Sequence, residues 1–200
     1  MQRLEAITRQ SLDPTTKILA GPFPLSHYPD WGVPAEACSA IVALDGGDLV
    51  VVAAAEDAHA FNRATADNQH TWELGDAMEF FVQVPGHEDY YEFHVTPEGR
   101  RLQLHLPSYL TFRQVSEASK ICDCGLAVKS VVREGVWLSE MRVSLARIGA
   151  TSPRGLRFAV CRYNYGPVGE PELSTTMRDA SRGFHNPPAW LALDDTEAPR

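Results

Sequence analysis

The sequence predicts an all-β fold, an antiparallel β-sandwich of the jelly-roll or Greek-key type. Three observations predict it: short segments rich in Val, Ile, Phe and Tyr recur along the chain, fourteen Gly and fourteen Pro break it at short intervals, and the helical signal is thin. The 200 residues suit one domain over 1–200, with a core spanning roughly 38–194, and a 44% hydrophobic fraction is enough to fill it.

The strand candidates follow in order. CSAIVALDG at 38–46 and DLVVVAAAED at 48–57 meet at Gly46-Gly47, a pair that accepts the positive φ of a tight hairpin. DAMEFFVQV at 76–84 and DYYEFHV at 89–95 flank Pro85-Gly86-His87-Glu88, a second hairpin signal. RRLQLHL at 100–106 follows the turn residues Pro97-Glu98-Gly99. TFRQVSEASK at 111–120 can make a helical turn or two, as can SLARIGA at 144–150. LAVKSVVRE at 126–134 and VWLSEMRVSL at 136–145 flank Gly135; GLRFAVCRYNY at 155–165 comes next, and AWLALDD at 189–195 closes the chain.

Strand period places the polar residues of the second hairpin. Met78, Phe80, Val82 and Val84 share one face, leaving Glu79, Phe81 and Gln83 on the other. Tyr91, Phe93 and Val95 share a face opposite Tyr90, Glu92 and His94. With the apolar faces inward, Glu79, Gln83, Glu92 and His94 become neighbours on the outer surface. Alternation alone makes that a polar, solvated sheet face.

Net charge is −8, from 18 basic and 26 acidic residues, with no basic run. This argues against nucleic acid or an anionic membrane surface as the main partner. The first twenty residues hold no apolar stretch of signal-peptide length, and no segment reaches the length of a membrane-spanning helix. The expectation is a cytoplasmic chain, or an extracellular one whose signal has been removed. Cys38, Cys122, Cys124 and Cys161 lack the paired spacing of a zinc site and read as reduced, partly buried thiols.

Four segments in order carry a resemblance: TWELGDAMEFFVQV…YYEFHVTPEG, GVWLSEMRVSLARIG, GLRFAVCRYNYG and SRGFHNPPAWLALDD. Together they resemble the signature strands of the family-nine carbohydrate-binding modules. Trp137 and Glu140 match the W-x-x-E start of the family's W-x-x-E-x-x-I-P element, and Ser144-Leu145-Ala146 replaces the usual Ile-Pro. The resemblance covers about Cys38 to Asp194. It implies a non-catalytic β-sandwich that holds a mono- or oligosaccharide between aromatic rings, with side chains bonding the hydroxyls. Carried over by position, Trp72 and Phe184 are the aromatic platforms, Asp76 and Glu79 belong to the G-D-x-x-E element, and His94 is a hydrogen-bonding residue on the neighbouring strand. Trp72 lies in the polar loop DNQHTWELGD, a poor position for a pure core residue, though a Trp tucked over the sandwich end fits it too. His185, beside Phe184, is expected to bond locally and fix its loop.

Other readings stay open. Glu79 and Glu92 can be drawn as the acid/base pair of a glycosidase, but no nucleophile elbow or metal motif accompanies them. A b-type haem would use a Met among Met78, Met141 and Met177 with a His among His94, His105 and His185. A drifted family member could take another small molecule or a protein. No cofactor is required. A structural calcium is implied only by the resemblance, with Glu56, Asp57, Asp67 and Asn68 as candidate oxygens whose spacing matches no calcium loop.

Overall fold

In the computed structural model, which describes residues 1–167, 169–177, 179 and 183–193, two antiparallel sheets pack face to face. The expected core boundary at 194 and the end of the closing strand lie outside those residues. In the first half of the chain the strands are β1 (Lys17–Pro24), β2 (Ser26–Tyr28), β3 (Cys38–Asp45), β4 (Asp48–Glu56), β5 (Ala77–Gln83) and β6 (Tyr90–Val95). Then come β7 (Arg101–Leu106), β8 (Ala127–Arg133), β9 (Val136–Ser144), β10 (Arg157–Asn164), β11 (Glu172–Thr175) and β12 (Leu191–Ala192). The first sheet has the order β1-β3-β4-β9-β8; the second has β2-β11-β10-β5-β6-β7, with β12 also paired to β10.

Every strand read from the sequence is present, and the hairpins turn where the Gly and Pro signals fall. The inner faces alternate as the pattern requires: Met78, Phe80, Val82, Phe93, Val95, Phe158 and Val160 meet Val42, Val51, Trp137 and Met141 in one core. Burying a side chain such as Phe80 is worth about 1.5–3 kcal/mol. The four cysteines are free thiols; Cys122 Sγ and Cys124 Sγ lie 3.2 Å apart.

Sequence reading missed β1, β2, β11 and the helix α1 (Gln2–Gln10). The core therefore reaches well before Cys38. β1 contains two prolines and a glycine and sits at a sheet edge, where such residues are tolerated but give no strand signal. α1 packs on the outer face of β3 and β4, next to a second cluster of Ile41, Ala43, Val50 and Val52. The unbroken apolar runs of β3 and β4 mark strands buried on both faces. β5 and β6 are covered on both faces as well, and that cover makes the site.

Candidate functional site

β5 and β6 pair in the register Glu79↔His94 and Phe81↔Glu92, so the acids and the imidazole share the outer face of the second sheet. Their cross-strand neighbours are apolar: Leu104 opposite Glu92 and Leu102 opposite His94 on β7, Cys161 opposite Glu79 and Ala159 opposite Phe81 on β10. This face is not solvated. Two segments outside the strands lie over it, one bringing Phe112 and Lys120, the other Phe184, His185 and Trp190. Glu79 is 2% exposed, Glu92 4% and His94 0%.

The three polar groups form one unit. His94 Nε2 lies 2.7 Å from Glu92 Oε1 and 3.3 Å from Glu79 Oε1, while Nδ1 lies 2.7 Å from the Thr71 hydroxyl. Burial pushes the Glu79 carboxyl well above the carboxylate range, and the neighbouring Glu92 charge adds to the shift against the pull of His94. Burial raises Glu92 too, but His185 and the hydrogen-bonded His94 outweigh it and hold it low. Burial lowers His94, and the two glutamates overcome that and raise it. Glu79 and His94 thus hold their protons more tightly than the free side chains do, and Glu92 is the acidic member of the set.

Glu79 has a testable consequence. Its folded-state pKa lies above its unfolded value, so the folded state holds more protons and stability falls as pH rises out of the carboxylate range. Asp76, raised by burial to about 6, and His94 act in the same direction. Glu92 acts oppositely, its contribution being lost toward acid pH. The melting temperature of the protein is expected to fall between about pH 5 and about pH 8, and Glu79→Gln is expected to flatten that slope. Equal slopes for the two proteins would overturn this protonation assignment.

Around this floor stand aromatic walls. Trp72 follows Thr71 on the short helix α2 (Thr71–Leu74); its ring stacks on His70 at 4.6 Å and meets His94 edge-on at 5.6 Å. Phe184 is packed by Tyr28 at 5.3 Å and Tyr163 at 5.8 Å. Phe112 stacks on His185 at 4.2 Å and lies beneath the cations of Arg113 and Lys120, each 5.6 Å from its ring. Lys120 is itself buried and paired with Glu117. Together they line a cleft of about 280 Å³, at the small end of ligand sites.

Of the residues singled out by sequence, Trp72, Glu79 and Phe184 line this cleft, and Glu92 joins them. His94 lies beneath the floor with both ring nitrogens engaged. Asp76 does not line the cleft: Oδ2 accepts from Phe61 N–H at 2.7 Å and Oδ1 from Tyr165 N–H at 2.6 Å, which ties together the loops that carry Trp72. The Tyr165 hydroxyl completes the anchor by donating to the Trp72 carbonyl at 2.7 Å. His185 does not simply fix its own loop; its Nδ1 bonds the Tyr90 hydroxyl at 2.8 Å across the sheet. Tyr28, Phe112, Arg113, Glu117, Lys120 and Tyr163 were missed as lining residues. Glu92 Oε2 is buried with no hydrogen-bond partner among the described residues, and His185 Nδ1 lies 3.8 Å from the Glu92 carboxylate.

Gly75 closes this corner with φ +145°, and a Cβ there would stand 2.4 Å from Phe61 O. Gly75→Ala is expected to cost about 2 kcal/mol or more, read as a lower urea midpoint at unchanged m-value. A variant as stable as the parent would contradict this close approach.

Among the described residues, Glu79, Glu92 and His94 are also the one grouping with three metal-capable side chains, their ligand atoms within 4.8 Å of one another. Two carboxylates and an imidazole suit zinc better than calcium, which takes six to eight oxygens. The oxygens offered for calcium go to separate partners: Glu56 to Ala37 N–H, Asp57 to Arg162, Asp67 to Arg101 and Asn68 to Gln103 N–H. They do not fit a shared calcium cage. Of the methionines offered for haem, Met78 and Met141 are buried in the inter-sheet core, away from His94 and His185, while Met177 lies in the outer-face cluster with Phe184.

No family model matches the sequence, and no curated protein matches it. Solved structures do. A protein of Bacteroides uniformis described as a candidate carbohydrate-binding protein matches with a TM-score of 0.64 at 20% identity, over 88% of this chain and 83% of that one. A family 9 carbohydrate-binding module from Caldicellulosiruptor kristjanssonii, in complex with glucose, matches with a TM-score of 0.62 at 10% identity, over 94% and 93%. A structure of a family 9 module from that organism in complex with cellotriose gives 0.56 at 10% identity, over 80% and 74%. The chain has the two-sheet β-sandwich fold of the family 9 carbohydrate-binding modules.

Proposed function

We propose that the cleft on the outer face of the second sheet binds a mono- or short oligosaccharide without transforming it. Trp72 and Phe184 supply aromatic surface for the apolar C–H faces of a sugar ring, and the carboxyls of Glu79 and Glu92 meet its hydroxyls. The observation that carries the reading is Glu92 Oε2, a buried acceptor without a hydrogen-bond partner among the described residues, on a side chain that lines an aromatic-walled cleft. A sugar hydroxyl would satisfy it, and an unsatisfied buried acceptor otherwise costs about 1–3 kcal/mol. A protonated Glu79 adds a donor beside it. His94 serves from below, holding both carboxyls in place, and Asp76 serves by fixing the Trp72 loop.

The same geometry supports binding over hydrolysis. Glu79 and Glu92 stand side by side on neighbouring strands of the cleft floor and both face one imidazole. Glycosidases set their two carboxyl groups on either side of the scissile bond. The sandwiches with this fold that hold glucose and cellotriose make a carbohydrate the first ligand to try. Titration calorimetry against a panel of mono- and oligosaccharides tests the proposal. Saturable binding to at least one member is expected; a panel with no binding would sink it.

A further inference from the structure

Beside the cleft, residues 27–32 fold into a tight loop off the edge strand β2. His27 N–H donates to Gly32 O and Trp31 N–H to His27 O, both at 2.8 Å. Asp30 Oδ1 accepts from Gly32 N–H at 2.9 Å and lies 2.6 Å from His27 Nδ1. This network holds Trp31 at φ +61°, a left-handed conformation that a bulky side chain seldom adopts. Such strain persists where surrounding structure enforces it, and it collects at functional positions. The strained residue is also a large ring left in solvent: Trp31 is 37% exposed, whereas Trp137 and Trp190 are 0% and 4%.

The exposed ring continues the aromatic surface of the cleft. Trp31 meets Tyr28 edge-on at 6.4 Å, and Tyr28 meets Phe184 edge-on at 5.3 Å. Tyr28 and Phe184 both line the cleft. Aromatic surface therefore runs without a break from the floor, over the β2 edge, to a ring at the rim. A cleft of about 280 Å³ holds only the end of an oligosaccharide, so a longer chain has to leave over an edge.

We propose that Trp31 is an outer platform for the second or third unit of an oligosaccharide whose terminal unit occupies the cleft. This rests on the carbohydrate reading above and extends it from a single sugar to a chain. Trp31 would then set the preference for oligosaccharides over monosaccharides, while Trp72 and Phe184 act on both.

The test compares glucose, xylose and mannose with their trisaccharides by calorimetry, in the native chain and in Trp31→Asn. Asn tolerates the left-handed backbone, so the substitution removes the ring and keeps the loop. A trisaccharide is expected to bind the native chain about tenfold more tightly than its monosaccharide, a gain that falls to about twofold or less in the variant. Monosaccharide affinity is expected to stay unchanged. Quenching of tryptophan fluorescence by acrylamide in the native chain gives a second readout: the trisaccharide is expected to shield an exposed indole that the monosaccharide leaves open. Equal affinities for the two ligands, or a variant that keeps the trisaccharide gain, would overturn the role of Trp31 and leave the cleft reading standing. Absence of binding to every sugar would remove both.

Discussion

Asp57→Ala is expected to destabilise the protein by about 3 kcal/mol, a fall in melting temperature of about 10 °C for a chain of this size. The Arg162 side chain is 1% exposed and enters the end of the inter-sheet core, where its Nη2 donates to Asp57 Oδ2 at 2.9 Å and to Asn164 Oδ1 at 2.9 Å. Arg162 Nη1 donates to the Glu36 carbonyl at 3.2 Å. Through these bonds the second sheet is tied to the segment after β4 and to the segment before β3. Removing Asp57 leaves a guanidinium in a site from which water is largely excluded, with the Glu36 carboxylate no closer than 3.7 Å. A buried charge stripped of its closest counter-charge, more than a lost hydrogen bond, sets the size of the effect. Chemical denaturation checks it: the midpoint is expected to fall with the m-value unchanged. A loss below about 1 kcal/mol would mean the pair behaves as an exposed one.

Trp72→Ala is expected to weaken sugar binding by about 2 kcal/mol or more, roughly thirtyfold, with the melting temperature little changed. The ring is partly buried against His70 and His94 and lines the cleft, so truncation removes a wall without opening the inter-sheet core. The loop itself does not depend on the ring: the Tyr165 hydroxyl holds the Trp72 backbone carbonyl, and Asp76 holds the two flanking segments. Calorimetry with the tightest glycan of the panel, beside a thermal melt of each protein, separates affinity from stability. An affinity unchanged by Trp72→Ala would remove Trp72 from the site.

Particular residues explain what the sequence made legible. Glu79 and His94 could be placed as neighbours because the strand period is two and Pro85-Gly86 signals a hairpin; the register Glu79↔His94 follows. Their burial could not be read that way. The cover comes from Phe112, Lys120, Phe184, His185 and Trp190, which lie far along the chain and carry no local pattern aimed at β5 or β6. Phe81 and Tyr90 held a hint, since two large rings on a supposedly solvated face call for something to pack on them. Arg113 and Lys120 were visible only as part of a possible helical turn. α1 escaped notice because it is short and polar overall, and one of its two buried residues, Thr8, is not apolar. Asp76 shows the limit of carrying a role over by position: the motif identifies the residue, while its contacts decide whether it faces the cleft or holds the loop behind it.

The central claim is that a sugar occupies the cleft on the outer face of the second sheet. A crystal structure with the tightest-binding glycan measures this directly. One ring is expected against Trp72, with a hydroxyl within hydrogen-bond distance of Glu92 Oε2. A saturated crystal whose sugar lies away from both Trp72 and Glu92 would contradict the claim.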